Sequence, residues 1–225
     1  MFNSECVLCG CCKIGFYCNS EKVLQCSQCW VVFLALGQVP AKLDAYYQNN
    51  PFYAQNATNP NLIKQMVLTA CFYLRTIVKH LKNPDGKLLV DVGSNYGALV
   101  EEALKIGFKA IGLEKNSWLV MAGQKRGLNI LTSDLSELAT SQPIDVITAM
   151  HVLEHLTDPR SFIKEAWQKL APGGILAIGV PNIKSYLAEK DGLSWRYVAL
   201  EHLFYFSADV LSKLLEQEGF EIVLV

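Results

Sequence analysis

Two constellations in this 225-residue chain carry side chains that do chemistry. The first is Cys6-Val-Leu-Cys9, then sixteen residues, then Cys26-Ser-Gln-Cys29. Two residues between a pair of cysteines let both thiolates reach one cation from a tight knuckle, and two knuckles complete a tetrahedral four-sulfur shell. That spacing predicts zinc, in a structural role because four thiolates leave no open position for water. Cys11, Cys12 and Cys18 lie between the knuckles, and any of them could replace an outer ligand. An iron–sulfur cluster and a set of free buried cysteines are the weaker alternatives, since no ferredoxin-type cysteine run is present. The second constellation is Leu88-Leu-Val-Asp91-Val-Gly93-Ser94-Asn95-Tyr96-Gly97. An apolar strand delivers Asp91 to its carboxyl end, and Gly93 and Gly97 let the backbone turn closely around a ligand before a helix begins. A dinucleotide fingerprint requires G-x-G-x-x-G. Here Asn95 and Ala98 occupy the second and third glycine places, which counts against a pyrophosphate cradle.

The elements that position these residues are legible from periodicity. Composition shifts near residue 40, giving a cysteine-rich module at 1–40, a connector and helix at 41–86, and a larger domain at 87–225. Ile63, Met66, Val67, Ala70, Leu74, Ile77 and Val78 recur at helical spacing and predict a helix over Pro60–Leu81, capped by Asn59. Strands are expected at Leu88–Val92, Lys109–Leu113, Asn129–Leu131, Ile144–Met150, Ile175–Val180 and Phe220–Val225. Helices are expected at Tyr96–Ile106, Ser117–Arg126, Pro159–Leu170 and Ala208–Glu218. Repeated β-α-β units of this length predict an α/β fold, a doubly wound, mainly parallel sheet.

Composition narrows the partners. Hydrophobic residues make up 51% and charged residues 18% of the chain, which suits a globular protein with a filled interior. A net charge of −1 argues against a protein that holds nucleic acid by its phosphates. The longest apolar stretch, Trp30–Leu36, is too short to cross a bilayer, and no basic region leads into an apolar run at the start, so neither a membrane span nor a signal peptide is expected. Seven of the eight cysteines lie in the first 29 residues, which without a secretory signal reads as metal binding in a reducing compartment, by default the cytoplasm. The zinc would fold forty residues that are too few to form a core alone.

Asp91-x-Gly93-x-x-x-Gly97 after the first strand resembles motif I of class I S-adenosylmethionine-dependent methyltransferases, and the resemblance continues from about Lys87 to Val225. It implies a Rossmann-like fold and S-adenosylmethionine as cofactor, held by Asp91, Gly93, Ser94, Asn95 and Gly97. Glu114 closes the second strand, 23 residues after Asp91, where the family places an acid on the ribose hydroxyls, with Lys115 beside it. Asp134-Leu135 follows the third strand, where an acid receives the adenine amino group. The segment from Ile144 through Met150-His151-Val-Leu-Glu154-His155 resembles the fourth strand and its loop, and Pro172-Gly-Gly matches the turn before the fifth. Each element has a bland counterpart taken singly: Asp134 as a helix cap, His155 as a packing residue.

The zinc knuckles together with the Gly-Ser-Asn-x-Gly loop resemble the sugar C-methyltransferases of deoxysugar biosynthesis. The later segment Leu200-Glu201-His202-Leu-Phe-Tyr-Phe-Ser207 is similar to their Glu-His segment near the substrate, and Tyr53 aligns loosely with a substrate-facing tyrosine. Those enzymes continue with a further domain where this sequence stops at Val225, and the last antiparallel strand of the fold is not legible. An edge left open there would favour pairing with another chain. Trp195-Arg196-Tyr197 is closer to broader small-molecule methyltransferases. The resemblance implies methyl transfer to a small polar metabolite, a nucleotide-linked sugar among the candidates. Glu201 and His202 are expected as base and orienting partner, with His151 next, since a histidine takes a proton at neutral pH and a carboxylate stabilises its charged form. Two other readings stand beside it: a methyltransferase whose zinc module presents RNA or protein, and a scaffold that binds cofactor without catalysis. Against the RNA reading stand the balanced charge and the lack of any arginine before Arg75.

Overall fold

The computed structural model describes residues 5–35 and 58–225, which divide into two compact units. A sheet unit takes residues 58–150 and 168–178, and a ribbon unit takes 5–35, 151–167 and 179–225. Tyr53 and most of the connector lie outside the described residues. No helix among the described residues is long and apolar enough to cross a membrane.

The sheet unit begins with α1 (Pro60–Leu81), whose first turn is closed by the Asn59 carbonyl accepting from the Asn61 N–H, with Pro60 at the position where a missing N–H costs nothing. Then come β4 (Leu88–Val92), α2 (Ala98–Lys105), β5 (Lys109–Leu113), α3 (Ser117–Gln124), β6 (Ile130–Leu131), β7 (Ile144–Met150) and most of β8 (Leu170–Gly179); β1 to β3 belong to the ribbon unit described below. The strand order is β6-β5-β4-β7-β8, with β4 parallel to both β5 and β7, and β5 parallel to β6. This is the doubly wound, Rossmann-like arrangement, and its order reverses between β4 and β7. Leu89, Val90, Val146, Ile147 and Ala149 are fully buried, the mark of strands covered on both faces. Ala70, Leu74 and Ile77, one stripe of α1, pack with Leu99, Val100 and Ala103 of α2 over Leu89, Ala110 and Val146. Each buried leucine or isoleucine contributes about 1.5–3 kcal/mol.

The ribbon unit holds β1 (Ile14–Tyr17), β2 (Ser20–Cys26) and β3 (Val32–Leu34), an antiparallel meander joined by the two-residue turn Cys18-Asn19. Both turn residues have positive φ, 49° and 57°, as the twist-matched hairpin turn demands. The fourth strand comes from far along the chain: β9 (Phe204–Tyr205) pairs with β3, Val32 opposite Tyr205 and Phe33 opposite Phe204. The cysteine-rich module therefore does not rely on metal alone for a core; Val31–Leu34 and Leu203–Phe206 bury one another. A short 3₁₀ turn (Leu153–His155), α4 (Pro159–Lys169, whose last two residues fall in the sheet unit), α5 (Tyr186–Asp191) and α6 (Ala208–Gln217) complete the unit. Arg160 on α4 ties it together, its Nε donating to the Leu8 carbonyl at 2.9 Å and its other nitrogens reaching Gln217 and Glu218.

Two strand expectations change. The sixth strand expected at Phe220–Val225 is not formed. Val223, Leu224 and Val225 are 60–82% exposed, and no described strand runs beside them, so the apolar run has no ladder to join. Phe220 instead packs its ring against Trp167, centroids 5.0 Å apart. The fifth strand starts at Leu170 rather than Ile175, absorbing Pro172-Gly173-Gly174, and ends at Gly179.

Candidate functional site

Three groups of side chains were singled out by chemistry, and each lies within one unit. In the ribbon unit Cys6, Cys9, Cys26 and Cys29 bring their sulfurs within 4.8 Å of one another. Cys6 and Cys29 sulfurs are 3.6 Å apart, and those of Cys9 and Cys26 are 3.5 Å apart. Sulfurs bound tetrahedrally at about 2.3 Å to one zinc stand about 3.8 Å apart, so the four fit a single cation and are too far apart for disulfides. The Cys26 sulfur accepts from the N–H groups of Gln28 and Cys29, the hallmark of a tight knuckle. A thiol hydrogen bond from Cys29 holds the Cys6 thiol down at about 5, while the same contact pushes Cys29 up and burial raises Cys9 to about 11. Cys11 accepts from the Lys13 N–H, Cys12 is exposed and Cys18 sits in the β1–β2 turn; none joins the four.

In the sheet unit the loop after β4 follows a left-handed rhythm, with positive φ at Gly93, Asn95 and Gly97. Every N–H of this loop is spoken for inside the protein. Gly93 and Ser94 donate to the Leu113 carbonyl, Asn95 to a Glu114 oxygen at 2.9 Å, Tyr96 to the Asn95 side chain and Gly97 to the Ser94 carbonyl. A phosphate-binding loop aims free N–H groups at its ligand. This one offers a shape and a carboxylate instead. Gly97, at φ 90°, is also required by packing: a Cβ there would come 2.6 Å from Ile130 and 2.7 Å from Leu128. The hydroxyl of Ser94 is buried against Gly112, and no partner for it is found among the described residues.

Asp91 is buried, pairs in register with Thr148 on β7 and accepts from its hydroxyl at 2.6 Å. Burial pushes its carboxyl up to about 7, with the Thr148 bond pulling down and the Glu114 charge adding to the rise. Glu114, just past β5, is also raised by burial, against N–H bonds from Asn116 and Asn95 that favour its charge. Lys115 and Asp134 form an ion pair at 3.2 Å with both side chains more than half exposed. Leu135 is buried beyond β6, and Met150 is half-buried at the end of β7. The expected cofactor residues thus lie at or just past the carboxyl ends of β4, β5, β6 and β7, the edge at which open α/β sheets take ligands, with the order reversing between β4 and β7. Thr148, Gly112 and Asn116 were not singled out beforehand. A glycine inside the apolar strand Lys109–Leu113 was the legible signal, since it marks a close backbone approach.

The histidines gather in the ribbon unit. His151, at φ 57°, keeps its ring half exposed and its Nδ1 3.3 Å from a Glu154 oxygen. Glu154 itself is 1% exposed. His155 donates from Nδ1 to the Glu201 carbonyl at 2.9 Å, and its ring meets that of His202 edge-on, centroids 4.7 Å apart. Tyr197 stacks on His202 and on His151, with centroids at 6.0 Å and 6.4 Å. Burial, helped by His155, holds the His202 imidazole below the ordinary histidine range, against the pull of Glu154 and Glu201. The Tyr197 ring thus lies between those of His151 and His202, and Glu201 enters the cluster through its backbone carbonyl. The structure adds Glu154 and His155, which sequence reasoning had left in the loop motif without a role.

Comparison with known proteins identifies the family and agrees with the fold. The methyltransferase domain family matches residues 68–225, and the chain belongs to that family. The ubiquinone biosynthesis O-methyltransferase of Methylococcus capsulatus is 34% identical over 112 residues, 45% of this chain and 47% of that protein. The C-methyltransferase NovU of Streptomyces niveus is 24% identical over 207 residues, 89% of this chain and 46% of that protein. The chain thus spans about half the length of either relative. Among solved structures, the magnesium protoporphyrin IX methyltransferase of Synechocystis PCC 6803 with bound SAH superposes with a TM-score of 0.62 at 16% identity, covering 81% of this chain and 90% of that one.

Proposed function

We propose that the chain transfers the methyl group of S-adenosylmethionine to a small polar metabolite, with a nucleotide-linked sugar as the preferred class. The observation that carries the cofactor assignment is the loop after β4, whose N–H groups are all satisfied internally while Glu114 stands at its edge. Such a site has nothing to offer a pyrophosphate and suits a nucleoside whose hydroxyls donate to a carboxylate. In this reading Asp91, Gly93, Ser94, Asn95 and Gly97 shape the cofactor bed, and Glu114 takes the ribose. Lys115, Asp134, Leu135 and Met150 border the adenine and methionine ends. The sugar-like acceptor is supported by the likeness of the cysteine knuckles and the Gly93-Ser94-Asn95-Tyr96-Gly97 loop to sugar C-methyltransferases, and the likeness to the C-methyltransferase NovU, over 89% of this chain, extends beyond residues 68–225.

The sulfonium methyl is already electrophilic, so the protein must align an acceptor behind it and assist loss of its proton. His151, the most exposed histidine of its cluster, takes that proton; His202 and Glu201 position the acceptor. Cys6, Cys9, Cys26 and Cys29 hold one structural zinc, and the cytoplasm is the compartment such a thiolate site suits.

The test uses zinc-loaded protein, cell extract and S-adenosylmethionine labelled on the methyl group, with products separated by size before and after ribonuclease. Label in the small-molecule fraction supports the proposal. Label in a large fraction that ribonuclease removes would make the acceptor RNA and overturn it.

A further inference from the structure

The ribbon unit buries a carboxylate with no partner adequate to its charge. Glu154 is 1% exposed and neither of its oxygens meets a hydrogen-bond partner among the described residues, although His151 Nδ1 stands 3.3 Å from one of them. His202, 7% exposed, likewise has an Nδ1 with no hydrogen-bond partner among the described residues. An uncompensated buried carboxylate costs several kcal/mol, and native proteins rarely keep one without a ligand to answer it. Glu154, His155 and His202 each place one ligand atom within 4.8 Å of the others. The Glu201 carbonyl takes the Nδ1 proton of His155, which fixes the tautomer that carries its lone pair on Nε2. Orientation of a ligating imidazole by a backbone carbonyl is what metal centres require.

From this geometry we infer that Glu154, His155 and His202 bind a divalent first-row transition cation, separate from the four-thiolate zinc. Two imidazoles and one carboxylate suit zinc, iron or manganese better than magnesium or calcium. Three protein ligands leave positions open, so the cation can take an oxygen of the acceptor and lower the pKa of the group that loses its proton. The binding stands on the ligand geometry alone; its use on the acceptor rests on the methyl-transfer reading.

The probe is cobalt(II), added to full-length protein whose thiolate site already holds zinc. One cobalt per chain is expected, with weak visible bands and no sulfur-to-cobalt charge-transfer band. Glu154→Gln and His202→Asn are each expected to weaken cobalt binding by at least about tenfold while leaving the zinc content at one per chain. Should either variant fail to fold, proton spectra of the wild-type cobalt protein decide instead, with two paramagnetically shifted imidazole N–H signals expected. No bound cobalt, a sulfur charge-transfer band, undiminished binding in folded Glu154→Gln, or no shifted imidazole signal would each overturn the site. A cobalt that binds as expected but leaves methyl transfer unchanged would overturn its role with the acceptor.

Discussion

The two units treat their buried polar groups in opposite ways. In the sheet unit the Gly93–Gly97 loop consumes its own N–H donors, and Asp91 is answered by Thr148; Ser94 Oγ is the exception. In the ribbon unit Glu154 and His202 are buried with atoms that meet no partner among the described residues, and the sulfurs of Cys6, Cys9, Cys26 and Cys29 lie within 4.8 Å of one another. A site whose polar groups are internally satisfied is a preformed shape that a nucleoside can enter without rearranging it. Buried polar atoms left unanswered are the mark of a site that a ligand would complete. On the proposed reading, the cofactor bed stands by itself, whereas the ribbon unit depends on bound metal for part of its stability.

The largest effect that would sharpen this contrast is expected from Cys26→Ser. The Cys26 sulfur is fully buried among the other three, and structural zinc binding is worth about 10–16 kcal/mol in small modules. Metal analysis should show loss of the zinc and proteolysis should open residues 5–35, with cofactor affinity reduced far less. If zinc content were unchanged, the four-cysteine assignment would fall. Next in size is Gly97→Ala, which meets both a left-handed backbone and the Ile130 and Leu128 side chains. Denaturant unfolding should report a loss of about 2–4 kcal/mol, and an unchanged midpoint would break the packing argument.

A smaller change follows from Glu114→Gln. Replacing the carboxylate removes a charged acceptor worth about 1.5–3 kcal/mol, so calorimetry with S-adenosylhomocysteine should show affinity falling by about tenfold to a hundredfold. Affinity that did not move would take Glu114 out of the cofactor bed. The smallest effect concerns pH. Unfolded, Asp91 titrates near 3.8; buried, it keeps its proton up to about 7. Between those values the folded state binds more protons, so its contribution is fully present below about pH 4 and is lost as pH rises through 7. Asp91→Asn, which retains an acceptor for Thr148, should flatten that slope. A melting curve series with the same slope in both proteins would show that Asp91 is not its source.

The same contrast explains what could be read from the sequence. The β4 loop and the alternating strands are each set by residues close in the chain, so periodicity and spacing expose them, and Glu114 is picked out by the resemblance to class I methyltransferases. The knuckles also announce themselves, because a cysteine pair two apart has few other uses. The ribbon unit is assembled from three separated segments, and its fourth strand is two residues, Phe204–Tyr205, paired with Val32 and Phe33. No local pattern announces such a pairing. Glu154 and His155 lie in a segment that is legible from the chain, but the return of His202 beside them, from 47 residues further on, is not. Phe220–Val225 shows the reverse error: an apolar run with strand character forms no strand without a neighbour to pair with.

The claim that bears most weight is that the carboxyl edge of the sheet is a nucleoside site for S-adenosylmethionine and not a pyrophosphate cradle. Titration calorimetry of the zinc-loaded chain with S-adenosylhomocysteine and, separately, with NAD tests it directly. The expected result is one S-adenosylhomocysteine bound per chain and no heat from NAD. Binding of NAD in place of S-adenosylhomocysteine would contradict the cofactor assignment, and with it the methyl-transfer reading built upon it.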